Sequence, residues 1–220
     1  MQLYWIRAQA PRRALAFAKH VGADFEPVEM KAGAMGTPEY LSLNPNGKAP
    51  TLVDGDTVLH EASAIMAYLA VKAGSDAWPA DDPAGQVQVL KWLSWTDDHW
   101  NPAVGPWYFE FVVKKTFGIG PPDRSALAGA AGPLEHYAGI LDDHLAGRDW
   151  IALDRLTIAD FQAASMAAYW RVAEMPLAPF GHVTGWLDRL AELPAWRSPW
   201  PHGRDMGTEP DAAEAEEATA

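Results

Sequence analysis

The sequence predicts a small mixed α/β domain followed by an all-helical one, and three observations carry that prediction. Over residues 1–74 the apolar pattern switches between strand and helix in the order β-α-β, then β-β-α. Residues 74–85 gather Gly, Pro and Asp in a cluster that breaks both periodicities, and no convincing strand appears beyond it. With 220 residues, 49% of them hydrophobic and 21% charged, the chain can bury a sizeable core as one compact unit or two small domains.

Residues 2–6 form a short β-prone run. Pro11 supplies the first helical position, and Ala14, Leu15, Phe17, Ala18 and Val21 then recur at helical spacing up to Gly22. Residues 25–30 are a second candidate strand, whereas residues 31–38 are too rich in Gly and small side chains to be regular. Thr51-Leu52-Val53 and Thr57-Val58-Leu59 flank Asp54-Gly55, a pair that tolerates positive φ in a tight turn, so a β-hairpin is predicted. From Glu61 the spacing of Ile65, Met66, Tyr68, Leu69 and Val71 is helical and ends near Gly74. The first domain therefore spans 1–74, and a linker covers 75–85. The second domain, 86–207, contains predicted helices at 86–115, 125–146, 157–172 and 181–190. Thr157-Ile158-Ala159-Asp160 opens the third of these with a capping box. Residues 208–220 hold Glu209, Asp211, Glu214, Glu216 and Glu217 without Lys or Arg, the composition of a disordered acidic tail.

Composition excludes whole classes of chemistry. There is no cysteine, so disulfides, thiolate metal sites and a protein-thiol nucleophile are ruled out, and any thiol must be borrowed. Lys+Arg 17 against Asp+Glu 29 gives 17 − 29 = −12, a field that repels nucleic acid and anionic membrane surfaces. The longest fully apolar stretch, residues 64–71, falls far short of the roughly 18 residues that cross a bilayer. Arg7, Arg12 and Arg13 interrupt any early apolar run, which does not fit a secretory signal and, with the missing cysteines, predicts the cytoplasm. Asp97-Asp98-His99 and Asp142-Asp143-His144 are consecutive on predicted helices and point in different directions, so no metal site is expected. In Gly118-Ile119-Gly120-Pro121-Pro122 the prolines remove the amides that a phosphate loop needs.

Two further segments carry specific chemistry. Asn44-Pro45-Asn46-Gly47-Lys48-Ala49-Pro50 runs into the hairpin, where a cis Ala49–Pro50 bond would turn the Ala49 N–H and C=O outward as a pair able to hold an extended peptide. Glu61-Ala62-Ser63-Ala64-Ile65 opens the next helix. With Leu156-Thr157-Ile158-Ala159-Asp160, and with Trp186-Leu187-Asp188-Arg189-Leu190 and Leu193-Pro194-Ala195-Trp196 near the end, the chain resembles the glutathione transferase superfamily over about residues 1–200. That resemblance implies an α/β thioredoxin-like N-terminal domain followed by an all-α C-terminal domain, the glutathione transferase fold, usually as a homodimer.

The resemblance also implies a site. Pro50 matches the superfamily's cis proline, and Ala49 the residue whose main chain pairs with glutathione. Lys48 matches a position that touches the glycyl end, and Glu61 the acid that meets the γ-glutamyl ammonium. Ala62 stands where the pattern has Ser, leaving the Ala62 and Ser63 amides for the γ-glutamyl carboxylate, and Met35 and Gly36 replace a basic pair. The serine that would stabilise the glutathione thiolate falls near Ala8, and neither Ala8, Gln9 nor Ala10 offers a hydroxyl. Tyr4, Arg7 and the Gln9 amide are the remaining candidate donors, each with a plain structural role as its alternative. Trp107, Tyr108 and Phe111, after Pro102 and Pro106, are the candidate wall of a pocket for the second substrate.

The implied function is a transferase that takes glutathione as co-substrate, needs no metal, and conjugates or reduces a hydrophobic small-molecule electrophile. The matched Lys48, Pro50 and Glu61 favour it. The gaps at Ala8, Met35, Gly36 and Ala62 favour a rival, a non-catalytic binding or scaffold protein on the same fold. A helical ligand-binding protein indifferent to glutathione is a third reading.

Overall fold

The computed structural model describes residues 1–31 and 33–202. The expected acidic tail at 208–220 lies outside the described residues. The first half runs β1 (Gln2–Trp5), α1 (Gln9–His20), β2 (Glu26–Glu29), α2 (Pro38–Leu43), β3 (Thr51–Asp54), β4 (Thr57–His60) and α3 (Ala62–Ala73). The strands form one sheet in the order β2-β1-β3-β4, with β1 parallel to β2 and the other pairs antiparallel. The hairpin turns at Asp54-Gly55, where Gly55 takes φ 59°.

Alternation along β1 separates the two faces. Leu3 and Trp5 are buried and join Leu15, Phe17, Leu52 and Ile65 in the core. Tyr4 points to the other face beside its register partner Thr51, and Tyr40 from α2 touches both. Helix α2 falls within and beyond the segment expected to be irregular. Its six residues are too few for a periodic signal, but Thr37 caps it and Pro38 takes its first position.

The second half is helical, as expected, with altered ends. A helical path runs from residue 83 to 117 as α4 (Pro83–Trp95), a wide π turn (Thr96–Trp100), α5 (Asn101–Tyr108), a second π turn (Phe109–Val113) and α6 (Lys114–Phe117). It starts at Pro83 rather than 86, because proline suits the first helical position. Pro102 and Pro106 are carried inside this path, next to the wide turns, rather than ending it. Helix α7 (Ala131–Leu145) starts later than 125, because Asp123 draws Ser125 into a turn by accepting its N–H at 2.9 Å and its hydroxyl at 2.6 Å. Helix α8 (Ile158–Ala167) stops short of 172, in turns that include Glu174 at φ 50°. Helices α9 (Gly181–Ala191) and α10 (Pro194–Arg197) close the described fold.

Two features position the site. Helix α8 is buried almost throughout, and Ala159, Ala163, Ala164 and Ala167 let it approach α1, α4 and α5 closely. Its capping box is present, and the buried Asp160 carboxylate also accepts from Ile151 N–H and Trp186 Nε1–H. The segment after α10 then returns across α1. Arg12 donates to the Trp196 carbonyl at 3.0 Å, and Lys19 donates to the Ser198 carbonyl at 2.8 Å and the Trp200 carbonyl at 3.0 Å. Among the described residues no helix is long and apolar enough to cross a membrane, and no group of three His, Asp or Glu side chains could hold a metal ion.

Candidate active site

The turn before β3 is fixed by side chains beneath it. Tyr40 Oη and Asn44 Nδ2 each donate to the Lys48 carbonyl at 2.7 Å. Thr51 Oγ1 accepts from Asn44 Nδ2 at 3.1 Å and lies 2.8 Å from Tyr40 Oη. With the Lys48 carbonyl drawn inward, the chain enters β3 through a cis Ala49–Pro50 bond. Gly47 at φ 59° lets the carbonyl of Met35 approach to 3.2 Å of where a Cβ would stand, so the 35–36 segment borders the same turn.

Hairpin register brings the second motif alongside. Thr51 pairs with His60, so Pro50 and Glu61 follow at the open end of the β3–β4 ladder. Glu61 caps α3 at φ 68°, a left-handed value that strains a residue with a side chain, and its carboxylate is exposed. The Ala62 and Ser63 amides open α3 next to it. Burial pulls the Arg13 guanidinium down to about 10, opposed by the carboxylates of Asp97 and Glu61. Asp97 also accepts from Gln162 at 2.7 Å and Asn101 at 3.0 Å, so this polar cluster joins the first domain to the first wide turn. An exposed anion, paired with helix-start amides beside an extended turn, can take a zwitterionic amino-acid end.

The candidate thiol donors lie from β1 to the start of α1, and the structure separates them. Tyr4 Oη donates to Gln2 Oε1 at 3.2 Å, toward the start of β1 and away from Ala8, while its ring lies 5.9 Å from that of Tyr40. Arg7 reaches instead to the C-terminal segment, donating to the His202 carbonyl at 2.7 Å with its guanidinium 5.7 Å over the Trp200 ring. Ala8 is the residue before α1 and offers no side-chain cap. Gln9 is buried and donates through Nε2 to the Tyr108 hydroxyl at 2.8 Å.

That contact joins the turn to the helical wall. Tyr108 and Phe111 are buried at the α5 end and in the second wide turn, with Tyr108 edge-on to Tyr169 at 5.4 Å and Phe111 beneath Arg124 at 5.3 Å. Trp107 is half-buried, and its Nε1 has no partner among the described residues. A cleft of about 450 Å³, bordered by Met1, Val21, Asp24, Asp54 and Lys72, shares no residue with the expected site. Sequence reasoning missed the support given by Tyr40, Asn44 and Arg13: Tyr40 and Asn44 act within 11 residues but through side-chain contacts that no apolar spacing displays, and Arg13 acts on Asp97, far along the chain. Only the Asn44 position, inside a turn motif, carried a local signal.

Comparison with known proteins bears on the family and the fold. Residues 1–71 match the family model described as the glutathione S-transferase N-terminal domain, and residues 101–194 match the C-terminal domain. Glutathione S-transferase 3 of Zea mays is 36% identical over 185 residues, covering 80% of this chain and 82% of that protein. A solved glutathione S-transferase III in apo form is 31% identical with a TM-score of 0.76, covering 90% and 94% of the two chains. The theta class enzyme of Xanthomonas axonopodis pv. citri, solved with glutathione bound, is 25% identical with a TM-score of 0.79, over 92% of this chain and 97% of that one. Fold order, sheet topology and identity over four fifths of the length agree: the chain belongs to the glutathione S-transferase family.

Proposed function

We propose that this protein binds glutathione along the Pro50–Glu61 edge and conjugates or reduces a hydrophobic electrophile held against Trp107, Tyr108 and Phe111. The observation that carries the reading is the hairpin register, which sets the Lys48–Pro50 turn beside the exposed Glu61 carboxylate and the first amides of α3. Lys48 would meet the glycyl carboxylate, the Ala49 main chain the cysteinyl backbone, and Glu61 with Ala62 and Ser63 the γ-glutamyl end. In conjugation the thiolate attacks carbon, a C–S bond forms and the leaving group departs with its electron pair. With Tyr4 bonded to Gln2 and Arg7 to His202, thiolate stabilisation falls to the Gln9 and Ala10 N–H groups at the start of α1, where Pro11 has none to give. The reading places residues 1–74 and 86–207 as two domains of a cytoplasmic homodimer.

Calorimetric titration with glutathione tests the reading. Measurable but poor binding is expected, because the basic pair and the serine hydroxyl are lost and each charge-assisted contact is worth about 1.5–3 kcal/mol. Sub-micromolar affinity, or no heat at millimolar glutathione, contradicts it. Turnover of a chloronitrobenzene separates enzyme from scaffold, since binding without turnover selects the non-catalytic reading.

A further inference from the structure

Gln9 opens α1 one residue after Ala8, and at 9% exposure its amide is buried against the helical domain. Its Oε1 lies 3.0 Å from Ser165 Oγ, and the same hydroxyl lies 3.3 Å from the Gln9 main-chain carbonyl. Both Gln9 oxygens only accept, so Ser165 is the donor to them. The other end of the amide, Nε2, donates to the Tyr108 hydroxyl oxygen at 2.8 Å. Tyr108 packs edge-on against Tyr169 at 5.4 Å, and Arg12, on the same helix as Gln9, lies 5.6 Å over the Tyr169 ring. A closed path thus leaves α1 at Gln9, crosses Tyr108 and Tyr169, and returns to α1 at Arg12.

We propose that Gln9 is a positioning residue for the second substrate: its amide fixes the Tyr108 phenol, so that the thiol-bearing turn and the wall of the electrophile pocket keep one relative placement. The inference rests on the reading that Ala8 marks the thiol and Tyr108 lines the pocket. The hydrogen bonds of the Gln9 side chain go to α5 and α8, and none goes to the Lys48–Pro50 turn or to Glu61 among the described residues. Gln9 should therefore govern the electrophile half of the site and leave glutathione affinity alone.

The full chain is titrated with glutathione, with S-hexylglutathione, whose alkyl group enters the second pocket, and with anilinonaphthalene sulfonate as a dye that needs no glutathione. Gln9→Met keeps the side-chain length and the main-chain N–H assigned to the thiolate, and removes only the two side-chain hydrogen bonds. It should leave glutathione affinity within about twofold while weakening S-hexylglutathione and the dye about three- to tenfold, the value of one buried hydrogen bond. Tyr108→Phe should give the same loss and the double variant no more, because both remove one contact. A thermal midpoint within a few degrees of wild type shows that the variants fold. Additive losses, equal losses for both glutathione ligands, or no loss for S-hexylglutathione and dye would overturn the proposal. If wild type binds the dye but neither glutathione ligand, the glutathione reading fails, and the dye titration by itself decides the role of Gln9.

Discussion

At Glu61 the backbone takes φ 68° while the carboxylate stays exposed, so the fold carries strain at a residue that gains nothing from burial. That combination fits a ligand-facing group and separates stability from binding. Glu61→Gly should hold or raise the thermal midpoint, because glycine accepts positive φ, while weakening glutathione about 10- to 100-fold in calorimetry. Unchanged affinity would remove Glu61 from the site. At Tyr4 the prediction is of little effect. Its hydroxyl is bonded to Gln2 at the far end of β1, so Tyr4→Phe should change turnover by less than about twofold, whereas loss of a true transition-state donor costs about 100- to 1000-fold. A large loss in that variant would return the phenol to the thiol.

Among the elements, the long helical path from 83 to 117 does most to shape the candidate pocket, and its second wide turn contains a pH-sensitive fastening. The buried Glu110 carboxylate is paired with Lys114 and accepts the Asp123 N–H at 2.6 Å, tying the 118–130 segment to the helix. The Lys114 ammonium first, and then the Asp123 amide, hold its pKa below the ordinary 4.5. The unfolded chain therefore takes up this proton first as pH falls, so the stabilisation is present above about 4.5 and lost as pH drops through the folded value. Glu110→Gln should lower the thermal midpoint at neutral pH, and the gap from wild type should narrow as pH falls below 4.5. An equal gap above and below that pH would show a packing effect alone. The existence and order of these helices were legible from apolar spacing, whereas their ends were not. Asp123 moved the start of α7, and the wide turns let Pro102 and Pro106 lie within one helical path.

For the whole molecule, two further outcomes follow from exposed and buried apolar surface. Val87 and Leu90 share one side of α4 at 61% and 50% exposure, and Val71 on α3 is 54% exposed. If the proposed dimer buries this side of α4, sedimentation should give twice 24.0 kDa and Leu90→Glu should release the monomer. A wild-type species of 24.0 kDa at micromolar concentration would sink the dimer. The C-terminal segment fastens the first domain, with the buried Trp200 ring 5.4 Å from Trp5 and beneath Arg7. Trp200→Ala should cost about 3–5 kcal/mol in urea unfolding, the usual loss for a buried aromatic.

By itself the sequence determined the two-part order, the Asp54-Gly55 hairpin, the capping box at Thr157 and the motifs around Pro50 and Glu61, because each depends on residues within a few positions of one another. Local propensity and turn chemistry act at that range, and a single chain displays them directly. Only the tertiary structure decided that Tyr4 turns to Gln2, that Arg7 is taken by a carbonyl 195 residues away, and that Gln9 finds Tyr108 and Ser165 across the domain boundary. A buried polar group must find a partner wherever packing brings one within about 3 Å, and no periodicity along the chain encodes that meeting.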